Sequence, residues 1–220
     1  LQPAQYGPNS MPGARSDILA ADDQYLYLRD LTFTKKGTQT PDQKPHLFTL
    51  TDFLDDTWTH RSYWIFGTTP SISTGCGGRD RKLLFGRLLV FDDTTVFGYG
   101  REAVHWSSEF EDGPYRLFAR RRDADQPVWS KQVPIHVRAM VLAGDVLFAA
   151  GVGPAPDQAP QKQSVSSEPL LLVVSALDGS ELARSPLAAP PLFDGMAATD
   201  GRLLLTLENG QVLCMAEEDQ

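Results

Sequence analysis

Cysteine is scarce: Cys76 and Cys214 are the two in 220 residues. That number and spacing exclude a CxxC metal knuckle, a haem CxxCH and a disulfide framework, and leave open whether the two thiols form one bridge. Long apolar runs are missing as well. The stretches 170–176 and 203–207 have strand length, far short of the roughly 20 residues of a membrane-crossing helix, so no membrane span is expected. A basic excess is lacking: 20 Lys+Arg against 28 Asp+Glu give a formal net charge of −8. Acids and bases are interspersed, so the chain has no nucleic-acid footprint. Nor is there room for long helices, because 16 Pro and 18 Gly are spread along the whole length and each interrupts periodic structure. At 41% hydrophobic and 22% charged residues, the sequence is still rich enough to bury a core. It opens Leu1-Gln2-Pro3, with no Met and no signal region, and is expected to be an internal or C-terminal part of a longer chain.

What the sequence does hold is short segments rich in Val, Leu, Phe and Tyr between turn residues, an all-β signature. The clearest unit runs from Met196 to Met215: strand, Asp200-Gly201 turn, strand, Asn209-Gly210 turn, strand. Both dipeptides predict type I′ turns, which need φ > 0 at both central positions. The pattern recurs upstream. The segment 136–151 holds two strands about Gly144-Asp145, with further strands at Leu170–Leu177 and Glu181–Pro186. Another copy spans 87–100, then Tyr115–Arg121 and Val128–Val133. A third begins at 17–29 and continues through His46–Thr51 and Thr57–Phe66. About three and a half four-strand meanders are therefore expected, over 17–67, 84–133, 135–187 and 192–218, with an irregular segment 1–16 and a flexible loop 153–168.

A unit of roughly 50 residues with an Asp/Gly turn between its first two strands suits a β-propeller blade better than a Greek-key sandwich. The residues Ser175-Ala-Leu-Asp-Gly-Ser-Glu-Leu182, Pro190-Pro191, 195–205 and Asn209-Gly-Gln-Val-Leu-Cys214 resemble the pyrroloquinoline-quinone-like (PQQ-like, quinoprotein-type) propeller repeat. The resemblance covers about the last 80 residues well and the earlier ones loosely. It implies a partial β-propeller, completed by further blades of the parent chain or by a second copy, in a periplasmic or extracellular bacterial protein. This chain departs from the pattern where Ser180 and Glu181 stand for the Thr-Gly of the repeat, and only Trp129 stands where the docking Trp of that family falls. The calcium-ligand and vicinal-cysteine features of quinoprotein dehydrogenases have no match, so neither PQQ nor a metal is expected as a cofactor.

The densest cluster of chemistry-bearing residues is Phe53–Trp64. In a strand from Thr57, Trp58, His60 and Trp64 share one face and Arg61 and Tyr63 the other. One reading is a ligand pocket of Asp55, Asp56, Trp58, His60, Arg61, Tyr63 and Trp64, with Asp55, Asp56 and His60 as an acid/base or metal set. The other is a packed outer strand preceded by an Asp55-Asp56 turn. The Gly-rich 71–80 lacks the Lys-Ser/Thr of a phosphate loop and reads as a linker. Cys76 has no base that the sequence places beside it. Arg116 and Arg120–Arg122 form a basic cluster, read either as an anion or partner contact or as a charge-protected edge. No assembled catalytic set emerges. The expectation is a non-catalytic binding or scaffold module engaging a protein or polymer partner. The alternatives are a quinoprotein-type oxidoreductase whose active centre lies elsewhere and a carbohydrate-active propeller using Asp55, Asp56 and His60.

Overall fold

The computed structural model describes residues 19–28, 31–49, 64–68, 84–100, 114–153 and 168–216. The segments 1–16 and 71–80, with Cys76, lie outside them, as does nearly all of 153–168. Described residues up to Arg87 form one compact unit and those from Leu88 a second. In the first, β1 (Ala20–Ala21), β2 (Tyr25–Leu28) and β3 (Leu31–Thr34) make one sheet, and β4 (His46–Thr49), β5 (Trp64–Gly67) and β6 (Leu84–Gly86) another. The second unit has three sheets: β7 (Leu88–Phe91), β8 (Thr95–Gly100), β9 (Arg116–Arg121) and β10 (Pro127–Lys131); β11 (His136–Ala143), β12 (Val146–Val152), β13 (Pro169–Ser175) and β14 (Glu181–Pro186); and β15 (Pro191–Thr199), β16 (Arg202–Leu207) and β17 (Val212–Ala216). Every pairing joins sequence neighbours and is antiparallel. Among the described residues there is no helix, and so none long and apolar enough to cross a membrane.

The protein is thus all-β and built of meanders, but its described strands form five sheets of three or four strands rather than three and a half four-stranded units. The difference arises at 17–67, which is divided between two sheets. At the end of β3 the chain turns sharply: the Gly37 amide donates to the Thr34 carbonyl at 2.8 Å, and Phe33 bridges back to Gln39. Gly37 has φ +79°, a left-handed conformation that costs glycine least. That turn closes the first sheet before His46, so β4 pairs with β5, and β6 joins them instead of opening the third sheet.

The turns show how sequence sets register. Asp200 and Gly201, at φ 47° and 69°, make the type I′ reversal expected there. Asn209-Gly210 does not: only Gly210 is left-handed, at φ 85°. Leu207 and Gln211 close a three-residue loop, with the Leu207 amide donating to the Gln211 carbonyl at 2.9 Å. This is the type I turn with a terminal left-handed glycine.

A second device recurs in both units. Asp22 Oδ1 accepts the amides of Gln24 and Tyr25, each at 2.7 Å. Likewise Asp92 Oδ1 accepts those of Thr94 at 2.7 Å and Thr95 at 2.8 Å. Asp-Asp-x-x is a side-chain-capped reversal between first and second strands. Burial works against the charge on Asp92, but the amides of Thr94 and Thr95 outweigh it and hold the carboxyl below its ordinary value of 3.8. Asp92 is exposed and solvent screens its bonds, so Asp92→Ala should lose about 0.5–1 kcal/mol at neutral pH. A carboxyl depressed by folding contributes stability above its unfolded value and loses it as pH falls through that value. The gap between wild type and Asp92→Ala, followed by urea denaturation, should therefore shrink below about pH 4.

The core of the second unit lies between its sheets. Ala139, Ala150 and Leu171 of the fourth sheet meet Leu203, Leu205 and Leu207 of the fifth, with Phe148, Met196, Leu213 and Met215 closing around them. Alternation along β16 buries Leu203, Leu205 and Leu207 on one face. The other face of the fourth sheet buries Met140, Leu147, Ala149, Leu172 and Val174. β11, first strand of its sheet, lies against both β7 and β15, which are first strands of theirs.

Candidate functional site

Of the residues singled out between Phe53 and Trp64, Asp55, Asp56, Trp58, His60, Arg61 and Tyr63 lie outside the described residues. Trp64 opens β5, paired with Thr49 and Gly86, and is buried at 8% exposure. The basic cluster is not a pooled patch. Arg116 donates from Nε to Ser130 Oγ at 2.8 Å, and Arg121 pairs with Asp123 at 3.1 Å. Arg122 donates to the Asp92 carbonyl and lies over the Phe91 ring at 5.1 Å. β9 ends at Arg121, so Arg120 and Arg122 do not share a strand face. Each of Arg116, Arg121 and Arg122 is spent on a neighbour, which favours the structural account of the cluster.

What the sequence did not signal is a repeated tyrosine–histidine junction. Tyr27, on the second strand of the first sheet, stacks on His46, first residue of the second sheet, with centroids 4.3 Å apart and planes at 20°. Tyr99, on the second strand of the third sheet, meets His136, first residue of the fourth, edge-on at 5.7 Å. Tyr115 stacks on Tyr99 at 5.1 Å and also meets His136 edge-on. The Tyr99 hydroxyl stands 3.2 Å from His136 Nδ1 and 3.4 Å from the Ile135 carbonyl. The Tyr27 hydroxyl instead donates to Asp22 Oδ2 at 2.5 Å, tying the junction to the Asp-capped turn. Burial first, and then this bond, push the Tyr27 hydroxyl well above its ordinary pKa. His46 Nδ1 lies 2.7 Å from the Lys44 carbonyl and must carry the proton there, since a carbonyl only accepts. A Tyr–His hydrogen bond is proton-transfer equipment in an open cleft. Here Tyr99 and Tyr115 are at most 1% exposed and His136 7%, so the group acts as a buried polar link between sheets.

Trp129 forms a further link between the third and fourth sheets. Its indole Nε1 donates to the Ala176 carbonyl at 2.9 Å, in the turn between β13 and β14. Its ring lies so close on Gly179, at φ 68°, that a Cβ there would come within 2.6 Å of it. Between the fourth and fifth sheets, Arg138 pairs with Glu208 at 2.5 Å.

Among the described residues, Asp194 is an acid held in a left-handed conformation within a strand. Its φ is 55°, in the irregular stretch of β15 between Pro191 and Met196. Although it is solvent-accessible, the atoms crowded around it push its carboxyl above the ordinary range. A carboxyl raised by folding costs stability as pH rises past its unfolded value, a cost complete above the folded one. Asn carries no charge and tolerates left-handed backbone. Because the carboxyl is exposed and solvent screens it, Asp194→Asn should gain no more than about 0.3 kcal/mol at neutral pH and nothing in acid, as read from thermal denaturation at both. Among the described residues, no group of three or more His, Cys, Asp or Glu could hold a metal ion.

No family model matches this sequence, and no curated protein sequence does. Among solved structures, the crystal structure of the computationally designed Ika4 protein aligns at a TM-score of 0.39 and 15% identity, over 94% of this chain and 95% of that one. That of the computationally designed Ika8 protein aligns at 0.38 and 11%, over 93% of this chain and 72% of the other.

Proposed function

We propose that the chain is a PQQ-like β-propeller repeat module, its sheets being blades of a partial propeller, and that it acts as a non-catalytic binding or scaffold domain of a larger extracytoplasmic bacterial protein. The observation that carries this reading is the Trp129 junction: an indole on the outer strand of one sheet seated on the Gly179 turn of the next, with its N–H on the Ala176 carbonyl. The neighbouring first strands β7, β11 and β15 support it, because blades meet along their innermost strands. So do the repeated Asp-capped turns and Tyr–His junctions, which invest the polar side chains in holding sheets together. Function in such a module falls to exposed loops and rims, with a protein or polymer as partner.

Native mass spectrometry of the 220-residue chain with and without added PQQ and calcium tests the non-catalytic reading. The expected spectrum shows the mass of the protein alone in both conditions. A stoichiometric increment of one PQQ, with or without calcium, would replace it with the oxidoreductase alternative.

A further inference from the structure

The outer edges of the second unit's sheets are not alike. β10 carries Pro127 and Lys131, while β14 carries Pro186 and a Glu181–Arg184 pair with bonds at 2.5 and 2.6 Å. Charges and prolines on an edge keep other strands away. Among the described residues, β17, Val212-Leu-Cys-Met-Ala216, is the edge of a three-stranded sheet and carries neither. Val212 is 64% exposed, and Cys214 is exposed as a free thiol.

Register decides what this edge presents. Leu207 and Gln211 are hydrogen-bonded across the β16–β17 hairpin, and the pairing continues as Leu205↔Leu213 and Leu203↔Met215. Antiparallel ladders alternate bonded and non-bonded pairs. The backbone groups of Leu213 and Met215 therefore point at β16, and those of Val212, Cys214 and Ala216 point out. Leu213 and Met215 also turn their side chains to the core.

We infer that β17 pairs antiparallel with β17 of a second copy of this chain, about a two-fold axis at Cys214. In that register every outward backbone group finds its complement: Cys214 opposes Cys214 of the second copy, and Val212 opposes Ala216 in both directions. A two-fold interface requires such self-matching, and no charge or bulky side chain opposes another across the axis. The partner extends the binding reading given above, but the inference rests on the strand edge and stands or falls without the propeller assignment. Five-residue strands bury less than a standard interface does, so association is expected to be concentration-dependent.

The test uses sedimentation velocity and diamide oxidation, in which two thiols give up their hydrogens to the diamide and form a disulfide. Bonded antiparallel pairs hold Cα atoms about 5.5 Å apart, within disulfide reach. A Cys76→Ser chain should give a dimer band reversed by reductant, and Cys76→Ser/Cys214→Ser should not. Val212→Lys, at an exposed position, should keep the thermal midpoint and weaken self-association at least about tenfold. Three results would overturn the inference: a monomer at about 100 μM with no cross-link, a dimer indifferent to Val212→Lys, or a monomer whose Val212, Cys214 and Ala216 amides resist hydrogen exchange because another segment holds the edge.

Discussion

Replacing Trp129 by Ala should cost about 3–5 kcal/mol, the range for deleting a buried large aromatic. The side chain is 8% exposed, packs 6.3 Å from Phe97 within its own sheet and crosses to the next through the Ala176 and Gly179 contacts. Trp129→Phe keeps most of the apolar area and removes the indole N–H, so about 1–2 kcal/mol should be lost as the Ala176 carbonyl gives up its donor. Guanidinium unfolding of the three proteins orders them: wild type above Trp129→Phe above Trp129→Ala. Equal losses for Phe and Ala would place the whole effect in the hydrogen bond and none in the docked ring.

Gly151→Ala should be at least as damaging, at roughly 3 kcal/mol or more. A Cβ built there would lie 2.0 Å from the His136 carbonyl oxygen and 2.7 Å from its carbon. Both atoms are backbone, at the start of β11 beside its bulge between Val137 and Ala139, so no rotamer change relieves the clash. The strand must move, and it carries His136 away from Tyr99 and Tyr115. Gly144→Asn is the matched control. Gly144 has φ 58° with open space around it, and Asn tolerates that conformation, so the loss should stay below about 1 kcal/mol. Soluble yield and thermal denaturation of the two variants check the contrast.

How much of this was legible in the sequence depends on whether the signal is local. Gly144-Asp145 and Asp200-Gly201 announce their turns because φ > 0 limits the residues allowed, and the expected strands of 136–186 correspond to β11 through β14. Asn209-Gly210 announces a turn but not its type, since loop length fixes that and one added loop residue changes it. β3 and β6, at four and three residues, are too short for alternation to show. The Tyr–His junctions were illegible for a different reason: Tyr99 and His136 lie 37 positions apart, and nothing near either residue announces the other. The arginine cluster misleads in the opposite way, because charge pattern is visible in sequence while the Ser130, Asp123 and Asp92 partners that absorb it are not. Trp129 was legible only through the repeat it resembles. Among the ligand-pocket residues expected between Asp55 and Trp64, the described structure reaches Trp64 alone and buries it.

The central claim is that the three sheets from Leu88 onward hold one another up face to face, with Trp129 joining the third to the fourth. Native-state hydrogen exchange on wild type and Trp129→Ala tests it most directly. Shared cores predict that amides of β8, β12, β13 and β16 open through one common transition, and that Trp129→Ala lowers the protection of β9 and β13 together. If β13 keeps its wild-type protection while β9 and β10 lose theirs, the sheets are stable separately and the account of mutual docking is wrong.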